Sequence, residues 1–262
     1  MQFIQFYILF MEEKMSVDLS TYTVSFKVFA NEVDMNVRAR ITAILDYLQN
    51  TAWCHYNEFE KKNGKILSDN LIWAILKLKI NLGKLPQWEE VIKVKTWVPL
   101  IDKYFAYRNF EIYDEQNNII GKSTFNWVLI DINNKKTVRQ EQFVNKWHFY
   151  KTPLFFEIKG KVDKITKPEL TKEVVVSYSD IDVNNHTNNV RYVQWMLDCI
   201  DFNILIKKQI KELEVNFIAE ALINDNLIIS IQKVSDSSLI YIGNVVRKED
   251  NRELCRAKFV FE

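Results

Sequence analysis

The stretch S-Y-S-D-I-D-V-N-N-H-T-N-N-V-R-Y-V-Q-W-M-L-D-C-I, Ser177 to Ile200, packs six carboxylate, amide and imidazole side chains into ten positions: Asp180, Asp182, Asn184, His186, Asn188 and Asn189. A β-branched run, Val174-Val175-Val176, precedes it. From Val190 onward Val193, Leu197 and Ile200 recur three or four apart, with Met196 beside them, which is the spacing of a helix with one face on a core. The cluster therefore lies on a loop that leads into a helix N-terminus, where backbone N–H groups and the helix dipole favour developing negative charge. Asn188 and Asn189 read as a cap and a turn former. His186, with Asp182 and Asn184, reads as chemistry: an imidazole, a carboxylate and an amide suited to attack on a carbonyl.

The same signature occurs earlier in weaker form. Asp34-Met35-Asn36-Val37-Arg38 lies 148 positions before Asp182-Val183-Asn184-Asn185-His186. In that register Ile44, Leu45, Tyr47 and Leu48 fall on Tyr192, Val193, Trp195 and Met196, and Ile41, Ile44, Leu45, Leu48 and Ala52 form an apolar stripe. Downstream, Leu76 to Ile80 and Leu213 to Phe217 both alternate apolar and polar, as half-buried strands do. They align at an offset of 137. Polar turns at Glu115–Asn118 and Glu249–Arg252 are flanked by strand-like runs: Tyr104–Tyr113 and Ile119–Ile130 in one copy, Leu239–Val246 and Leu254–Phe261 in the other. The chain is thus a duplication. Each copy reads as a strand, a long helix and several antiparallel strands. The expected class is α+β, a tandem (double) hotdog: two long helices, each wrapped by a curled antiparallel sheet, in a single-chain pseudo-dimer.

The expected domains are residues 15–146, a catalytically blunted first copy, and 173–262, the catalytic copy. Residues 147–172, rich in Lys, Pro and aromatics, read as a connector anchored by Phe149, Tyr150, Phe155 and Phe156. Residues 1–14, with Met11 and Met15 close behind one another, read as an N-terminal extension. Its apolar run Phe3–Phe10 is too short to span a bilayer. The copies differ where chemistry would sit. Arg38 stands where the second copy has His186, and the 137 offset puts Gly83 opposite Glu220.

Composition narrows the class further. At 262 residues and 48% hydrophobic, the chain can bury a large core, and a formal net charge of +1 gives no global signal for nucleic acid. Cys54, Cys199 and Cys255 have no C-x-x-C spacing and read as free thiols of a reducing, cytoplasmic compartment. His55, His148 and His186 have no paired metal-ligand spacing, and no Gly-rich phosphate loop is present, so neither a metal nor another cofactor is expected.

The motif D-I-D-V-N-N-H-T-N-N-V-R-Y resembles the D-x-D-x-N-x-H-x-N-N-x-x-Y pattern of the acyl-acyl-carrier-protein thioesterases of plants and bacteria. Asn31–Gln49 resembles that family's first-domain helix and its lead-in, and Phe125–Asp131 with Thr137 and Arg139 resembles its W-V-x-x-x…T-R segment. The resemblance implies hydrolysis of a thioester held on an acidic acyl carrier protein, at Asp182, Asn184, His186 and Glu220. Plant members carry a cysteine directly after the glutamate. Here that residue is Ala221, so activated water replaces a thiol nucleophile. A partly buried Glu220 would position or deprotonate the water, and His186 would polarise the carbonyl or protonate the leaving thiolate. Asp182 would orient the imidazole or hold the loop. Asn184, with N–H groups of the helix start, would stabilise the oxyanion.

The acyl tunnel would be lined by Ile44, Leu48, Trp73 and Ile75 of the first copy. Lys135, Lys136, Arg139 and Arg191 would meet the carrier. An acyl-CoA thioesterase, a dehydratase and a non-catalytic acyl-binding protein are alternatives on the same fold, and a homodimer of the pseudo-dimer is a further possibility.

Overall fold

The structure, a computed structural model, describes residues 19–140, 149–158, 160–235, 237 and 239–262. The expectations for residues 1–14, Trp147 and His148 lie outside the described residues.

Among the described residues eleven strands form one sheet, in the order β1-β3-β4-β5-β2-β8-β11-β10-β9-β7, with β6 paired to β5. The first half holds β1 (Thr21–Lys27), helix α1 (Ile41–Asn63), β2 (Leu71–Leu82), β3 (Val91–Ile101), β4 (Phe105–Tyr113), β5 (Ile119–Asp131) and β6 (Lys136–Val138). The second holds β7 (Leu170–Val175), α2 (Asn189–Leu197), α3 (Phe202–Lys207), β8 (Ile210–Phe217), β9 (Asn226–Lys233), β10 (Ile240–Arg247) and β11 (Arg252–Phe261). The strand order is a palindrome about the β2–β8 seam, where Lys77 to Asn81 pair antiparallel with Asn216 to Glu212. Both halves are curled antiparallel sheets with helix packed on the inner face, the tandem hotdog arrangement.

The apolar stripe of α1 is buried as its spacing requires: Ile41, Ile44, Leu45, Leu48 and Ala52 all lie in one core with Val193 and Met196 of α2. The helix ends at Gly64, whose φ of 80° suits glycine and whose N–H closes on the Glu60 carbonyl. The second helix is shorter than expected. It stops at Leu197, and Asp201 caps a separate six-residue helix by accepting from the Asn203 N–H. Gly243 of β10 lets α2 sit close to the sheet, since a Cβ there would come within 2.6 Å of the Met196 sulfur.

Both polar hairpins form, each with an asparagine in the left-handed region, Asn117 at φ 62° and Asn251 at φ 54°. The register between the copies needs a correction of two residues. The Gly83 N–H donates to the Ile120 carbonyl and the Ile218 N–H to the Leu254 carbonyl, in the same place in each half. Likewise the Ala39 N–H meets the Pro86 carbonyl where the Thr187 N–H meets that of Ala221. The offset there is 135, so Leu85, not Gly83, stands opposite Glu220. Side chains alternate with period two along a strand, so a slip of two leaves the pattern unchanged.

The connector lies against the sheet. Trp97 Nε1 donates to Thr152 Oγ1, Asn109 Nδ2 to the Pro153 carbonyl, and Tyr150 and Phe155 meet Trp97 edge to face. Further along, the Val162 N–H donates to Asn216 Oδ1 and its carbonyl accepts from Arg256. Strand β7 starts at Leu170, inside the segment expected to be connector.

Candidate active site

Asp182 builds the loop that carries the imidazole. Its Oδ1 accepts from the Asn184 N–H at 2.8 Å and the His186 N–H at 3.3 Å, while its own N–H donates to the His186 carbonyl. Asn185 closes the turn at φ 63°. Of the two roles expected for Asp182, holding the loop is the one its bonds perform. Asp34 does the same for Asn36 and Arg38 in the first half.

Two further contacts bring the ends of the site together. The Thr187 N–H and hydroxyl both donate to the Ala221 carbonyl, and the Ala221 N–H donates to the Tyr192 hydroxyl at 2.7 Å. Arg247 donates to the Glu220 carbonyl at 2.7 Å. His186 and Glu220, each one residue before a pinned neighbour, then meet with Nε2 3.1 Å from Oε2. Glu220 is not partly buried in the sense expected. Its side chain is 43% exposed, beyond the end of β8, and its other oxygen lies 3.8 Å from Lys135 Nζ. Burial pushes the Tyr192 phenol well above its usual range, so at neutral pH it keeps its proton. Sequence reasoning placed Tyr192 only as an apolar helix position matching Ile44. The signal that could have found it is the tyrosine that closes the motif.

Asn188 is the cap: its side chain accepts from the Val190 N–H and its carbonyl from Arg191. Those helix-start N–H groups are therefore engaged. The Asn184 side-chain amide is exposed and makes no hydrogen bond to a described residue. In the first half the equivalent groups are tied up. Asn36 Nδ2 donates to the Ile206 carbonyl, and Arg38 donates to the Leu205 and Ile206 carbonyls and to Asp34. Both residues thus cap the end of α3 and clasp the two halves.

The remaining predicted residues divide. Ile44, Leu48 and Ile75 are buried in the core. Trp73 lines a largely apolar cleft with Ala52, Trp53 and Tyr56 of α1, Val98 and Ile101 of β3, Ala106 and Arg108 of β4, and Trp127 of β5. Arg191 is folded back on Asp180, the Ser179 carbonyl and Gln194, which makes it a brace of the loop rather than a projecting cation. Arg139 is exposed just after β6. His55 is buried, with Nδ1 2.9 Å from Arg108 and Nε2 3.1 Å from the Leu19 carbonyl. Among the described residues no three His, Cys, Asp or Glu side chains converge as a metal site would require. All three cysteines are free, and burial pushes every thiol up.

Models of the acyl-ACP thioesterase N-terminal and C-terminal domains match residues 20–146 and 163–262. The chain belongs to the acyl-ACP thioesterase family. It is 25% identical over 270 residues to a chloroplastic palmitoyl-acyl carrier protein thioesterase of Gossypium hirsutum, an alignment covering 94% of this chain and 64% of that protein. Across the first three curated plant relatives it spans 60–64% of their length. An acyl-ACP thioesterase from Bacteroides thetaiotaomicron superposes with a TM-score of 0.83 at 26% identity, covering 95% of this chain and 100% of that one. The 12:0-ACP thioesterase of Umbellularia californica superposes at 0.80 with 16% identity, over 92% and 94% of the two chains, a likeness of fold. No helix among the described residues is long and apolar enough to cross a membrane.

Proposed function

We propose that this acyl-ACP thioesterase family member hydrolyses the thioester between an acyl chain and acyl carrier protein, releasing a free fatty acid and the carrier thiol and so ending chain synthesis. The observation that carries this reading is the His186–Glu220 pair, 3.1 Å apart in the second half, where the first half has Arg38 and Leu85. A thioester carbonyl is weakly resonance-stabilised, so activated water is a sufficient nucleophile. The His186–Glu220 dyad takes a proton as the water oxygen bonds to the acyl carbon, an effect worth roughly 10²–10⁴ in rate. The carbonyl oxygen becomes an oxyanion beside the Asn184 amide, a donor of the kind worth roughly 10²–10³. The C–S bond then breaks, and the dyad returns its proton to the departing sulfur.

Ala221 has no side chain that could attack, and the cysteines, whose thiols are all pushed up by desolvation, are poor nucleophiles, which supports water over a covalent intermediate. The acyl chain occupies the first-half cleft. Antiparallel pairing of Lys77 with Asn216 points the start of β2, which carries the cleft residue Trp73, the same way as the chain leaving β8 for Glu220. This direction supports an acyl chain running from the first-half cleft toward the His186–Glu220 pair. The first half, residues 15–146, thus acts as the acyl-binding domain and residues 173–262 as the catalytic one. The three free thiols suit a reducing compartment.

Turnover of acyl-carrier-protein and acyl-CoA substrates of several chain lengths tests the leaving group. Preference for the carrier substrate, lost as salt rises, supports this reading. Preference for CoA moves the assignment to an acyl-CoA thioesterase. Acyl binding with no thiol release moves it to a non-catalytic binder.

A further inference from the structure

The proposed base is touched from the opposite half of the molecule. Lys135 Nζ lies 3.8 Å from Glu220 Oε1, while His186 Nε2 lies 3.1 Å from Oε2. The carboxylate therefore has one oxygen facing each half. Its backbone is held within the second half, by Arg247 on the Glu220 carbonyl and Tyr192 on the next N–H. The exposed side chain needs its own restraint, because a glutamate free to change rotamer spends part of its time away from the reacting atoms.

Lys135 stands at the tip of the β5–β6 hairpin, and that tip is built from side-chain hydrogen bonds. Asp131 Oδ1 accepts from the Asn133 N–H and Oδ2 from the Asn134 amide, and Asn134 Oδ1 accepts from the Lys136 N–H. The Ile132 N–H is bonded to the Asn70 carbonyl, and β6 pairs back on β5 at Leu129–Val138 and Ile130–Thr137. Lys135 itself takes the left-handed backbone, φ 55°, that this turn imposes. The backbone on both sides of the lysine is thus fixed, although its side chain is 79% exposed.

A lysine on the carrier-docking surface belongs at the far end of the long pantetheine arm, not beside the carbon under attack. The geometry points to Lys135 as a positioning residue: from the half that lacks its own His and Glu, it holds Oε1 so that Oε2 stays toward His186. This rests on the thioester-hydrolase reading above, and it makes the active site composite, completed across the pseudo-dimer.

The test compares kcat and KM of wild type, Lys135→Met and Lys135→Arg on an acyl-carrier-protein substrate and on the same acyl group carried by pantetheine alone. Lys135→Met should lower kcat about three- to fivefold on both substrates, the size an exposed ion pair can carry, with KM unchanged. Lys135→Arg should restore most of it. A rise in KM confined to the carrier substrate would make Lys135 a docking residue and overturn the inference, as would no change in either constant. A wild-type protein that releases no thiol from either substrate would instead overturn the hydrolase reading and the role of Lys135 with it.

Discussion

Thr187 donates both its backbone N–H and its hydroxyl to the Ala221 carbonyl, the hydroxyl at 2.8 Å. These two hydrogen bonds tie the start of α2 to the loop after β8, and they set His186 beside Glu220. The dyad is thus a product of neighbouring backbone and hydroxyl groups, none of which needs to touch substrate. Without that tie the two side chains would sit on separate loops, 34 residues apart in sequence.

Tyr192→Phe tests the tie from its other side. It removes the acceptor of the Ala221 N–H while keeping the buried ring. Leaving that N–H unpaired costs about 1–3 kcal/mol, read as a lower denaturation midpoint. Activity should fall further than the lost stability accounts for, because Glu220 is the next residue. An unchanged kcat in a measurably destabilised Tyr192→Phe protein would restrict Tyr192 to packing.

Alkylation of the thiols should leave hydrolysis largely intact at neutral pH. Burial raises the pKa of Cys54, Cys199 and Cys255, so little thiolate is present to react, and none is needed if water attacks. Loss of activity in step with the labelling of one cysteine would point to a covalent acyl-enzyme.

Val37→Asn should stabilise the fold by about 1 kcal/mol. Val37 holds φ 55°, a region that is costly for a β-branched residue, and its counterpart in the second half is Asn185 at φ 63°. Val37 is exposed, so little burial is lost. Chemical denaturation of the variant beside wild type measures the change, and a lower midpoint would contradict the strain argument.

Much of this fold was legible because each element carries a local signal. The α1 stripe, the two polar hairpins and the repeated D-x-N turn are all patterns of nearest neighbours in sequence. The errors arise where the signal repeats or where the partner is remote. A two-residue slip paired Gly83 with Glu220 because strand alternation cannot register it. The break between α2 and α3 was missed because the apolar spacing continues through Ile200 while Asp201 caps a new helix. Ile44, Leu48 and Ile75 carry the same apolar character as the cleft residues Val98 and Ile101, and apolar spacing alone does not separate core from cleft. Arg191 is a helix-face cation by sequence, and its bonds to Asp180, Ser179 and Gln194 come from the fold of the loop. Lys135 is a surface lysine by composition, and only the β5–β6 hairpin together with the β2–β8 seam brings it to Glu220.

The most direct measurement is single-turnover release of free thiol from an acyl-carrier-protein substrate by wild type and Glu220→Ala, with circular dichroism confirming equal folding. Wild type should release stoichiometric thiol, and Glu220→Ala should be slower by roughly 10²–10⁴. Hydrolysis by Glu220→Ala at the wild-type rate would contradict the account.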